Sequence, residues 1–219
     1  MRSSGLDTFT SEDGAAWTVF LKDLVERGLA GVQLVISDDH KGLLSALETL
    51  LPGTSWQRCR THFMRNLLCR VPKSAQPFMA TMVRTIFAQP SAAEVAAQLR
   101  RVVCQLQHRF PEVAAMLADA EPEITAFAAF PVEHWAQIWS NNPQERLNRE
   151  IRRRTDVVGI FPDRAAVIRL IGMVLAEQHD EWAVSRRYMS AGSLAKLTPA
   201  MTVVELEDPE EVVPTLMAS

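Results

Sequence analysis

The chain has 219 residues, 47% hydrophobic and 22% charged, with a formal net charge of −3 and a mean hydropathy near zero. That composition folds in water, and the length predicts one or two domains. No run of about 18 apolar residues is present to span a membrane, and the opening residues MRSSGLDTFTSEDG lack the apolar stretch of a secretory signal. Cys59, Cys69 and Cys104 are odd in number and irregularly spaced, which excludes a disulfide framework and points to a reducing, cytoplasmic setting.

Ser11 is placed to cap a first helix whose apolar residues, Trp17, Phe20, Leu21, Leu24 and Val25, fall on one face; Gly28 ends it. The run GVQLVIS at 31–37 is short, β-branched and uncharged, the pattern of a buried strand in the middle of a sheet covered on both faces. Asp38 and Asp39 follow at its C-terminal end. A helix over about 41–51 stops at Pro52 and Gly53, and 54–61 reads as a second extended segment, so the order predicts an α/β unit with parallel pairing. From 63 to 136 the periodicity is helical, interrupted by prolines, and predicts three to five helices and no strand. Asn142 as N-cap and Pro143 in the first turn open a helix over about 143–154. Further helical segments cover about 163–179 and 180–189. Residues 197–219 hold five acids and no base, and are expected to be mobile or loosely docked.

Several residues carry chemistry, each with an ordinary alternative. Asp38 stands where α/β folds place their sites, at the end of a buried parallel strand, unless it or Asp39 only caps the next helix. Glu145 lies in a first helical turn, where a carboxylate meets the helix dipole; that could be its whole role. Arg146, Arg149, Arg152, Arg153 and Arg154 are either a solvated face or a phosphate-binding one. Arg149 and Arg152 share the side of Glu145, while Leu147 and Ile151 form the inward stripe. Asp38 and Glu145 could converge on a divalent ion. Cys59 and His62 form a Cys-x-x-His pair, but a structural zinc site takes four ligands and only Cys69 is near enough to be a third; simple packing of Cys59 with a local hydrogen bond for His62 is the alternative. Cys104 and His108 fit an ordinary helix. Trp135, Trp139 and Trp182 read as core residues, with stacking on an unpaired base as the other use.

The segments SDDHKGLLSAL, WQRCRTHFMRNLL and NNPQERLNREIRRRTDVVGIFP occur in the order found in the Mutator-type family of insertion-sequence transposases, and the resemblance runs from about residue 5 to 190. It implies a fold that is α/β and mostly helical: an incomplete ribonuclease H-like core with an all-helical insertion. Under that reading residues 1–62 are part of the core, 63–138 the insertion, 139–190 the return to the core and 191–219 an acidic tail. The resemblance assigns Asp38 and Glu145 as the second Asp and the Glu of a metal-binding Asp-Asp-Glu triad, and Cys59 and His62 as the family signature. It implies Mg²⁺ or Mn²⁺, two ions in a complete site, and DNA as partner, both element ends and target, in a nucleoid-associated protein.

None of the acids before Asp38 follows a strand-like run, so the chain is expected to be a truncated copy without the first Asp. Alone, it is expected to be inactive in strand cleavage and transfer. The alternative function is a non-catalytic interaction or DNA-binding fragment that modulates full-length transposase, through self-association or by joining its assembly.

Overall fold

The computed structural model describes residues 13–184, together with Gly192 and Lys196. Ser11, residues 185–190 and the acidic tail, apart from those two positions, lie outside the described residues. Helix α1, Gly14–Glu26, is capped by Asp13, whose carboxylate accepts from the Ala16 amide at 2.9 Å. Its buried residues are Leu21 and Leu24, while Val25 stays exposed although it shares the apolar face. Gly28, at φ +96°, turns the chain out of the helix.

Strand β1, Leu34–Ser37, leads through helix α2, Lys41–Leu50, to strand β2, Ser55–Arg58, and the two strands pair in parallel with Leu34 opposite Ser55 and Ser37 opposite Arg58. Leu34 and Ile36 face the large helical core, whereas Val35 and Trp56 join Leu21, Leu24, Leu43, Ala46 and Leu47 of α1 and α2. Both faces are therefore covered, as the uncharged run predicts. The expected central position is not observed: among the described residues β1 pairs along one edge only, and all four of its residues remain half-buried.

Helices α1 and α2 cross at a glycine pair. A Cβ on Gly42 would lie 2.7 Å from Gly14 Cα, a backbone atom with no room to yield. At the head of α2 the cap is His40, whose Nδ1 accepts from the Leu43 amide at 3.2 Å. Neither Asp38 nor Asp39 caps this helix.

From Arg60 the chain is helical: α3 Arg60–Leu68, α4 Gln76–Phe87, α5 Ala92–Leu106, α6 Pro111–Asp119, the short α7 Glu121–Ile124 and α8 Trp135–Ile138, joined in places by 3-10 turns. Their inward faces form one core, with Phe63, Met79, Ile86, Leu99, Leu106, Leu117, Ile124 and Phe127 buried to 1% exposure or less. Trp135 and Trp139 belong to it. Phe127 packs edge-on against both rings, and Trp135 Nε1 donates to the Phe130 carbonyl at 2.7 Å, so neither indole is free to stack on a base. Cys104 and His108 are exposed on α5 and in the turn after it.

The sheet is tied to this core by a polar residue. Gln57 on β2 is fully buried; its amide nitrogen donates to the Ile124 carbonyl at 3.1 Å and to the Arg58 carbonyl at 2.8 Å, and its oxygen accepts from the Phe127 amide at 2.8 Å. Helix α9, Asn142–Val158, then returns to the sheet, and Gly159 at φ +74° turns the chain toward α10, Arg164–Val184. The two segments expected over 163–179 and 180–189 are one continuous helix as far as Val184. Helix α9 also runs four residues past its expected end. No helix among the described residues is long and apolar enough to cross a membrane.

Candidate metal-binding site

The end of β1, the start of α3 and the start of α9 meet at one place. The turn from β2 into α3 is fastened to the segment that leads into α9 by three successive residues. Cys59 Sγ donates to Asn141 Oδ1 at 2.8 Å, the Arg60 amide donates to the Trp139 carbonyl at 2.9 Å, and Thr61 Oγ1 donates to Asn142 Oδ1 at 3.3 Å. The Arg60 guanidinium lies over the Trp139 ring, 4.2 Å from its centroid, and 5.3 Å from that of Phe87. On the other side, the Cys59 amide donates to the Ser37 carbonyl at 2.7 Å and so extends the strand pairing. Asn141, not Asn142, is the N-cap residue of α9, and its side chain is turned to Cys59 rather than to the helix amides.

This fastening brings together Asp38 and Glu145, 107 positions apart, with one imidazole between them. His62 Nδ1 lies against Asp38 Oδ1, and His62 Nε2 is 3.5 Å from Glu145 Oε1. Burial pushes the Asp38 carboxyl above its ordinary value of 3.8. The charge of Glu145 acts in the same direction, and His62, Arg58 and Arg65 oppose them. Asp38 keeps about half of its side-chain surface in solvent (53%), so the carboxylate is open to a ligand. Two carboxylates that repel one another beside an open face form a donor set that a divalent cation would relieve. Oxygen ligands with room for water suit Mg²⁺ or Mn²⁺. Among the described residues only these two acids face the imidazole. Asp39 is engaged elsewhere, since the Arg58 guanidinium spans Asp39 at 3.1 Å and Glu123 at 3.2 Å.

The arginines of α9 divide into two groups. Arg153 and Arg154 are both held by Glu150, at 2.7 and 3.0 Å, and Arg154 also reaches Glu177 of α10 at 3.3 Å. Arg146, Arg149 and Arg152 are exposed and make no ion pair among the described residues. Leu147 is buried and Ile151 half-buried, the inward stripe expected for this helix.

Residues 4–185 match the family described as Transposase, Mutator family. The chain belongs to the Mutator family of transposases. It is 53% identical over 201 residues to the transposase for insertion sequence element IS1081 of Mycobacterium tuberculosis, covering 92% of this chain and 48% of that protein. It is 36% identical to the transposase for IS406 of Burkholderia multivorans, over 86% of this chain and 49% of the relative. It is 37% identical to the transposase for IS256 in transposon Tn4001 of Staphylococcus aureus, over 81% and 46%. This Mutator-family chain thus spans about half the length of the curated relatives it matches.

The site also contains residues that the sequence did not point to. Asn141 and Arg58 position its parts through contacts that span 82 and 65 residues. The only local sign of Asn141 was its place before a helix-opening Asn-Pro, which suggests a cap and not a partner for a thiol.

Proposed function

We propose that this chain supplies two of the three carboxylates of a metal-dependent DNA strand-cleaving and strand-transferring site, with Asp38 and Glu145 as the ion-binding acids. The observation that carries the reading is the single His62 imidazole lying between them. Residues from the end of a parallel strand and from the first turn of a distant helix reach one ring, and that ring is in the family's Cys-x-x-His segment. Membership of a transposase family supports DNA as the substrate.

A bound Mg²⁺ would supply Lewis-acid stabilisation of a phosphoryl oxygen and a more acidic water or hydroxyl. The chain's own residues have separate tasks. Asp38 and Glu145 present oxygens on one open face. His62 lies between the two carboxylates, with Nδ1 against Asp38 Oδ1 and Nε2 3.5 Å from Glu145 Oε1. Arg58 fixes the segment after β1 through Asp39. Arg146, Arg149 and Arg152 face solvent on the helix that carries Glu145, as guanidinium contacts to a DNA backbone require. The parallel pair β1–β2 between two helical layers, with the outer edge of β1 unpaired among the described residues, is consistent with a partial ribonuclease H-like core. In this reading a third acid and further strands come from outside the described residues, and the 219 residues alone do not cleave DNA.

Cleavage of element-end DNA by the purified 219-residue chain in Mg²⁺ or Mn²⁺ tests this directly. The expected result is no cleavage by the chain alone, cleavage once the N-terminal half of a relative is supplied, and loss of that activity in Glu145→Ala. Cleavage by the chain alone that vanishes in Glu145→Ala would retain the site and overturn the need for an acid from outside the described residues. Restored cleavage that survives Glu145→Ala would overturn the site.

A further inference from the structure

Cys59, His62 and Asp38 each offer one ligand atom, and the three atoms lie within 4.8 Å of one another. Two features separate this group from a chance meeting of side chains. Cys59 is fully buried, and its sulfur has no use in a site for a hard cation, which takes oxygen ligands. His62 Nδ1 is itself buried and makes no hydrogen bond of sound geometry, although it is crowded against Asp38 Oδ1. A nitrogen without a proper hydrogen bond, a carboxylate oxygen pressed against it and a thiol beside both are placed as donors are around an ion.

The donor set decides the class of ion. Thiolate, imidazole and carboxylate together select zinc-like cations, and three protein ligands leave the fourth position of a tetrahedron for water. Outer partners are present as well. Ligating histidines commonly present their second nitrogen to a carboxylate, and Glu145 is 3.5 Å from His62 Nε2. Asn141 touches Cys59 Sγ at 2.8 Å, and rotation of its amide would turn an N–H toward the sulfur once the thiol proton has gone.

We propose that Cys59, His62 and Asp38 form a binding site for a zinc-class divalent cation. On binding, the Cys59 S–H bond breaks, the proton passes to solvent, and the sulfur lone pair forms the bond to the metal. The site shares Asp38 with the site proposed above for Mg²⁺, so the two ions compete. It requires only the three side chains described, and does not depend on the chain's acting on DNA.

Co²⁺ titration of the full 219-residue chain tests the proposal, with Cys69 and Cys104, both exposed, replaced by serine so that Cys59 is the one thiol left. The expected result is a single equivalent bound, with the visible absorption of four-coordinate Co²⁺ and a sulfur-to-cobalt charge-transfer band, both bleached by Zn²⁺. The band reports Cys59 without any change at that position, so it does not rely on a core variant that fails to fold. His62→Ala is expected to abolish tight binding, and Asn141→Ala to weaken it about tenfold or more. Glu145→Gln is expected to keep the band while weakening Mn²⁺ binding, which separates this site from the Mg²⁺ reading. Absence of a charge-transfer band in the folded Cys69→Ser, Cys104→Ser chain, or a band unaffected by His62→Ala, would overturn the assignment.

Discussion

Gln57 shows how one side chain carries an arrangement that no local pattern announces. It is a fully buried amide on a strand, and its two ends meet the backbone of Ile124 and Phe127, 67 and 70 positions away. Replacing it with leucine would keep the volume and leave a carbonyl and an amide buried without partners, at about 1–3 kcal/mol each. Gln57→Leu is therefore expected to lower the unfolding free energy by about 2–6 kcal/mol, measured as a fall in the urea midpoint; an unchanged midpoint would mean that water reaches these groups. Legibility at this scale follows the same division. Asp38 and Glu145 could be singled out because a strand end and a helix start are marked by neighbouring residues. Gln57, Arg58 and Asn141 could not, because their roles depend on partners brought near only by the finished fold. The cap of α2 was misplaced for a related reason: Asp38 and Asp39 are better-known capping residues than histidine, yet His40 occupies the position from which a side chain reaches the Leu43 amide.

Among the elements, the crossing of α1 and α2 and the charge pattern of α9 each make a measurable claim. Alanine at position 42 would favour a helix by about 1 kcal/mol on propensity alone. Here the added Cβ meets the Gly14 backbone at 2.7 Å. Gly42→Ala is expected to destabilise the chain by about 1–3 kcal/mol and to lower Tm, with the sign opposite to propensity. In α9, hydrogen bonds from Arg153 and Arg154 hold the Glu150 carboxyl at about 2, below its ordinary 4.5. A depressed folded-state value means that the stabilisation is fully present above about pH 4.5 and is lost as pH falls toward 2. The helicity of the wild type is expected to fall faster than that of Glu150→Gln across this window in circular dichroism; parallel curves would show that the pairing contributes nothing. Helix periods and proline breaks made the helical stretch from Arg60 to Ile138 readable in advance. The one-residue shift of the α9 cap was hidden because two asparagines stand side by side.

The whole molecule is unevenly anchored. The core that runs from α3 to α8 buries a dense set of apolar side chains, whereas among the described residues after Ser140 only Leu147 and Val174 are buried. Native-state hydrogen exchange is expected to show amides of α4 and α5 opening only with global unfolding, and those of α9 opening by a local route of lower free energy. Equal protection in α5 and α9 would contradict this. The parallel order of β1 and β2 was legible from the helix between them.

Glu145 stands on the lightly anchored part, while Asp38 and His62 stand on the firmly packed one. If Asp38 and Glu145 hold an ion as proposed, its binding and the seating of α9 are a single linked equilibrium. A cation held by both carboxylates binds only the seated form, so its measured dissociation constant is the intrinsic one divided by the seated fraction. Any change that seats α9 more firmly, even one remote from the carboxylates, should tighten the ion by the same factor.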